Sequence, residues 1–247
     1  MSDLHVPHLF FHNGKSEYIG DLIHGVPNGR GEEYWINGKI KIDGYFKKGV
    51  IDGEVLIYYS DGTKYYEGET LCGYKHGFGI EFTSKGNKKY IGIFKLDQRH
   101  GRGILYFKSG KVKYEGFWKD GKIFGLGKEF HSNGQIRYSG MFKNGGPHGD
   151  VCIILDENGK VQFTGRMKDG VDATKNSGII PTDKMGLEGS GDENILKKVT
   201  LDDKEFEKSE DELPDCVSVK GMVRSQQKKK NTVNIGNVYF QDEDEGD

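Results

Sequence analysis

The chain has 247 residues, a formal net charge of −2 and 34% hydrophobic residues, with 38 glycines and only five prolines. No apolar run approaches the length of a helical membrane span, and the overall −2 hides an asymmetry, a body near +5 (25 basic and 20 acidic residues) joined to a tail near −7. Cys72, Cys152 and Cys216 are odd in number and lack pairing or metal-ligand spacing, which points to a reducing, cytoplasmic setting, as does the missing signal-peptide core.

In chain order, residues 1–8 are a short N-terminal extension. Residues 9–170 hold 31 of the 38 glycines. Residues 171–247 are a different polymer, with 18 acidic against 11 basic residues and three aromatics, Phe206, Tyr239 and Phe240. Such a composition cannot offset its own ordering entropy, so this segment is expected to be a disordered acidic tail. Within it, Lys228 to Lys230 is too short for a nucleic-acid patch.

The middle segment repeats every 24 residues. Each copy opens on an anchor, then any residue, then glycine: Tyr18 and Gly20, Ile42 and Gly44, Tyr66 and Gly68, Tyr90 and Gly92, Tyr114 and Gly116, Tyr138 and Gly140. A truncated seventh copy starts one residue late at Phe163, and Phe10 with Gly14 ends a preceding half-copy. Four residues after the anchor stand Leu22, Phe46, Thr70, Phe94, Trp118 and Phe142, which share the anchor's face in a strand. Sixteen after come Tyr34, Tyr58, Phe82, Tyr106, Phe130 and Ile154, expected as a ladder of rings on the returning strand. Turn glycines recur seven and eleven after the anchor, and pairs such as Asn37-Gly38, Asp61-Gly62 and Asn133-Gly134 mark the next turn. The spacing predicts one β-hairpin per copy. A single hairpin buries too little to fold alone, so the copies must stack into a quasi-one-dimensional array. The expected fold is all-β, an elongated single-layered antiparallel ribbon on the order of 60 Å long.

Tyr114-Glu115-Gly116-Phe117-Trp118-Lys119-Asp120-Gly121 and His100-Gly101-Arg102-Gly103 resemble the MORN repeat (membrane occupation and recognition nexus). The resemblance spans residues 9–170, in a 24-residue variant without an accompanying catalytic domain. It implies an open sheet with a groove that serves as a scaffold, membrane-associated adaptor or docking platform.

The candidate chemistry is thin. His76, His100 and His148 share one repeat position, but copies about 10 Å apart cannot share a zinc ion, so no metal is expected. Gly125-Leu126-Gly127-Lys128-Glu129 fails as a phosphate loop, since Lys122 and Glu129 stand where glycine and Ser/Thr are needed. No nucleophile and base occur in a recognisable context, so neither catalysis nor a cofactor is expected. Fifteen and seventeen residues after the anchor, carboxylates alternate with branched residues, which suggests an apolar partner face of Ile93, Leu105, Phe107, Phe117, Met141, Ile153 and Leu155. The leading expectation is a non-catalytic scaffold for a protein partner, cytoskeletal or ciliary. A peripheral binder of anionic phospholipid through Lys47, Lys95, Lys119, Lys143 and Lys168 is the alternative, with a regulatory subunit of a separate enzyme as the third. Cytoplasmic placement at the cytoskeleton or a membrane follows from these, and unpaired end strands leave self-association open.

Overall fold

The structure, a computed structural model, describes residues 7–10, 14 and 16–174. The acidic tail from residue 175 onward and most of the N-terminal extension lie outside the described residues. Strands follow one another at the beat of the repeat. β1 (His8–Phe10) precedes β2 (Ser16–Ile23) and β3 (Val26–Tyr34); β4 (Ile40–Lys47) and β5 (Val50–Tyr58) form the next hairpin, and β6 (Lys64–Leu71) and β7 (Tyr74–Phe82) the one after. Then come β8 (Lys88–Lys95), β9 (Gln98–Tyr106), β10 (Val112–Lys119), β11 (Lys122–Phe130) and β12 (Ile136–Lys143). β13 (Gly146–Pro147), β14 (Gly149–Leu155), β15 (Val161–Lys168) and β16 (Val171–Asp172) complete the order. β1 to β13 make one 13-stranded antiparallel sheet in strict sequence order, and β14 to β16 a three-stranded one. Among the described residues there is no α-helix.

Two kinds of turn alternate along the array. At one end of each hairpin a two-residue loop puts both residues at positive φ, as in His24 (52°) with Gly25 (75°) and Lys48 (52°) with Gly49 (79°). That is the primed turn whose twist matches paired strands. The Asn-Gly and Asp-Gly pairs sit instead in three-residue loops at the other end: Gly38 donates its N–H to Trp35 O at 2.7 Å, and Trp35 N–H pairs with Lys39 O at 2.8 Å. Asn37 Oδ1 fixes the loop by accepting from Lys39 N–H at 3.0 Å.

Both ends are stitched to the neighbouring copy. Gly49 N–H donates to Pro27 O, Gly73 N–H to Ile51 O and Gly121 N–H to Arg99 O, at 2.8 to 3.0 Å. At the opposite end Trp35 Nε1 donates to Tyr58 O and Tyr59 Oη to Phe82 O, at 3.2 and 3.3 Å, and His131 Nε2 meets Leu155 O at 2.8 Å. The seventeenth position therefore serves the joint between copies. A sheet one layer thick gains from these bonds what it cannot gain from a second layer.

The core lies on one face. Tyr66, Tyr90 and Tyr114 are wholly buried, with Phe94, Trp118 and Phe142 nearly so. Anchor rings and the rings four residues on alternate edge-to-face: Tyr66–Phe94 at 5.6 Å, Phe94–Tyr90 at 5.1 Å, Tyr90–Trp118 at 5.4 Å, Trp118–Tyr114 at 5.4 Å and Tyr114–Phe142 at 5.2 Å. Each such pair adds about 1 kcal/mol beyond the area it buries. This zigzag is the ring ladder. The rings of Tyr34, Tyr58, Phe82, Tyr106 and Phe130, expected to form it, are half-buried and fall on the other face, because residues fifteen after the anchor pair directly with anchors: Tyr18 with Glu33, Tyr66 with Glu81, Tyr90 with Leu105.

The sheet breaks where the repeat slips. Anchors Tyr138 and Phe163 are 25 residues apart, and the extra residue is taken up where the register of β14 on β15 shifts, between Gly149 and Cys152. β12 pairs with β13 only through Phe142 with Pro147 and Lys143 with Gly146. Beyond the slip Cys152 and Ile154 take the buried places.

Candidate docking surface

The tyrosine face is closed by its own side chains. Each anchor ring lies flat over glycines of its hairpin, and its hydroxyl donates to the carbonyl three residues on: Tyr66 Oη to Glu69 O at 2.8 Å, Tyr114 Oη to Phe117 O at 3.0 Å. Burial pushes the Tyr66, Tyr90 and Tyr114 hydroxyls far above the usual phenol range, so they stay protonated donors. Over the rings sits a layer of ion pairs. Glu33 binds Lys41 at 2.6 Å, Glu129 binds Arg137, and the buried Glu81 binds both Lys75 at 2.6 Å and Arg99 at 3.0 Å. Burial alone works to raise the Glu81 carboxyl, but Lys75 and Arg99 outweigh it and hold the group at about 2. Arg99 also lies 4.9 Å from the Tyr90 ring centroid and 5.2 Å from that of Trp118.

This arrangement revises the expected partner face. The alternation of carboxylates with branched residues fifteen after the anchor is a pattern of ion pairs and packing inside the tyrosine face. Leu105 pairs directly with Tyr90, and Phe107 holds the Lys113 ammonium 5.7 Å from its ring centroid on that same side. Ile93, Phe117 and Met141 stand on the opposite face, with Ile93 and Met141 37% and 47% exposed. Ile153 and Leu155 belong to the three-stranded sheet, paired with Thr164 and Val161. The seven residues do not make one surface.

The opposite face is the open one. Two rows cross it. In the first, Leu56, Ile80, Ile91 and Ile104 line up through the pairs Leu56–Glu67, Glu67–Ile80, Ile80–Ile91 and Ile91–Ile104. In the second, Tyr45, Glu54, Glu69, Phe78 and Ile93 follow one another on β4 to β8, with Glu54 opposite Glu69 and Phe78 opposite Ile93. The glycine eleven after the anchor makes room for this second row: a Cβ at Gly101 would stand 3.4 Å from Ile93 Cβ, and at Gly53 3.3 Å from Tyr45 Cβ. Between β3 and β7 the face forms a groove of about 400 Å³. Of the sequence-based candidate set, Ile93, Phe117 and Met141, each three residues after an anchor, lie on this face. The remaining signal was available in the columns one, three, twelve and fourteen after the anchor, once those are assigned to the face opposite the tyrosines.

The lysine row lies elsewhere. Lys47, Lys95, Lys119, Lys143 and Lys168 are all exposed beside the two-residue turns, with Ile23 and Leu71 at the same place in the first and third copies. His100 Nδ1 lies 3.9 Å from Asp120 and His148 Nδ1 3.1 Å from Asp169. Burial, with Lys95 nearby, lowers the titration of His76 and His100 below the usual imidazole range. Among the described residues no group of three His, Cys, Asp or Glu side chains is placed to hold a metal ion.

With this geometry in hand, the family model for the MORN repeat matches residues 18–40, 66–88, 90–112 and 114–136. The copies it passes over include the second, where Ile42 and Val55 replace the tyrosine and its underlying glycine, and the sixth, whose returning strand takes up the extra residue between Gly149 and Cys152. No curated protein matches the chain.

Proposed function

Because the chain is a MORN repeat protein, we propose that it is a non-catalytic docking module whose open face receives a protein partner. Repeats of this family are commonly protein- or membrane-binding modules. The observation that carries the reading is the division of labour between faces. One face is consumed by tyrosines, ion pairs and rings that hold the array together; the other presents Phe78, Ile80, Ile93, Phe117 and Met141 on consecutive hairpins with no described element over them. Uncovered apolar surface of that kind marks partner sites. A cytoplasmic scaffold at the cytoskeleton or a membrane is consistent with this reading, and so is a regulatory subunit of another chain's enzyme. The test is recovery of a crosslinked partner by the full chain and by its Phe78→Asp/Ile93→Asp form. Loss of the partner with unchanged thermal unfolding supports the face; equal recovery rejects it.

A second reading rests on the lysines. Five exposed ammonium groups beside the two-residue turns, four of them on successive hairpins from Lys95 onward, can attract anionic headgroups, each contributing up to about 1 kcal/mol near a charged leaflet. Flotation of the full chain with phosphoinositide vesicles, reversed by salt, is the expected result. Absence of flotation at low salt removes this reading.

A further inference from the structure

The open face is not uniform. Its N-terminal part, on β4 to β6, carries Asp43, Glu54, Glu67 and Glu69, whereas β7 to β9 carry Phe78, Ile80, Ile91, Ile93 and Ile104. Asp43 is paired with Arg30 at 3.0 Å and Glu67 with Lys64 at 2.8 Å. Among the described residues Glu54 and Glu69 have no such cation. They stand directly opposite each other on adjacent strands, an arrangement that destabilises an isolated sheet. Glu69 Oε1 accepts from Phe78 N–H at 3.1 Å, which fixes the carboxylate beside the ring; Glu54 makes no bond among the described residues. Tyr45, 46% exposed, and Phe78, 50% exposed, stand at the two ends of this pair. The body of the chain is basic overall, so two unbalanced carboxylates between two exposed rings are a local reversal of its charge.

We propose that this surface is the docking site for an amphipathic helix of a partner protein, basic at the end that lies over Glu54 and Glu69 and apolar where it crosses Ile80, Ile91 and Ile93. The proposal rests on the reading of the open face as the partner face and adds the chemistry of what occupies it. Charge complementarity selects a basic segment over an acidic one; the chain's own Arg30 already lies 5.9 Å from the Tyr45 ring centroid, and the exposed ring of Phe78 offers a second seat for an Arg or Lys side chain. Secondary structure follows from the backbone. The sheet's N–H and C=O groups are already paired in its ladders, so its face offers none to a guest; an extended peptide laid there would leave its own groups unpaired, while a helix satisfies them internally. From β4 to β9 is five strand spacings, about 24 Å. A helix of about 16 residues spans that length.

The test is selection from a displayed library of 18-residue helical peptides against the full chain, followed by affinity measurement of an enriched peptide. Enriched sequences are expected to cluster Arg or Lys at one end and to carry apolar residues at helical spacing. Glu54→Lys/Glu69→Lys should weaken the best peptide by about tenfold or more, and exchanging its basic residues for Glu should restore binding to that variant. Circular dichroism and thermal unfolding of the variants establish that the sheet is intact. Peptides without basic residues, or affinity that survives the charge reversal while Ile80→Asp/Ile93→Asp abolishes it, would discard the basic helix and keep the face. Affinity indifferent to both variants, or no enrichment at all, would discard the face as well.

Discussion

Tyr66 lies across Gly79 so closely that a Cβ on that glycine would sit 2.6 Å from both Cζ and Cε2 of the ring. Gly31, Gly103 and Gly127 lie under Tyr18, Tyr90 and Tyr114 in the same way. The second copy proves the rule by exchange: where the anchor is Ile42, the underlying position is Val55, 4% exposed. Ring over hydrogen and aliphatic over aliphatic are two solutions to one volume. Gly79→Val is therefore expected to lose about 3 kcal/mol by overpacking. Tyr66→Ile with Gly79→Val should recover about 1 to 2 kcal/mol relative to the sum of the single changes. Urea unfolding of the four proteins checks this, and strict additivity would break the claimed pairing.

Much of this was legible in the sequence, and what was missed has a single cause. Anchor, glycine and the residue four on share a face in any strand, so the buried row of Tyr90, Phe94 and their equivalents follows from a period of two. Facing across a hairpin depends instead on register, which a period cannot supply. Counting back from Tyr106 as a core ring put Leu105 and Phe107 on the outside; the pairing of Tyr90 with Leu105 reverses every assignment on the returning strand. The carboxylate at Glu81 looked like surface because its partners, Lys75 and Arg99, are contributed by two different copies.

Glu81 gives the array an acid-sensitive joint. Its folded carboxyl titrates at about 2, below its ordinary value of 4.5, so the folded state binds this proton less readily than the unfolded chain. The stability it supplies is complete above about pH 4.5 and is lost as pH falls toward 2. Glu81→Gln should remove that dependence and, by stranding Lys75 and Arg99, lower stability at neutral pH by about 3 kcal/mol. Denaturant midpoints from pH 7 to pH 2 are the measurement; parallel curves for the two proteins would show that the group carries no such linkage.

Lys48 is exposed, yet holds φ at 52° in a turn whose next residue is Gly49. A left-handed backbone suits asparagine better than lysine, and Asn-Gly is the favoured pair for this turn. Lys48→Asn is expected to stabilise the chain by about 0.5 to 1 kcal/mol, read as a raised midpoint in thermal unfolding with the slope unchanged. The gain comes from the turn alone, because Asn28 Oδ1 accepts from the backbone N–H of residue 48, a bond that survives the change.

The two faces can be told apart by the same substitution made at two adjacent residues. Ile93 occupies the position held in the first copy by Asp21, whose carboxylate accepts from Arg30 N–H at 3.1 Å. Aspartate is thus a native solution there, and Ile93→Asp should change stability by less than about 1 kcal/mol. Phe94, one residue on, is buried between the Tyr66 and Tyr90 rings, so Phe94→Asp empties a place in the ring ladder and puts a carboxylate into it. A loss of about 2 to 4 kcal/mol is expected. Equal tolerance of both changes would mean that the tyrosine face does not carry the array, while equal damage would mean that the open face does.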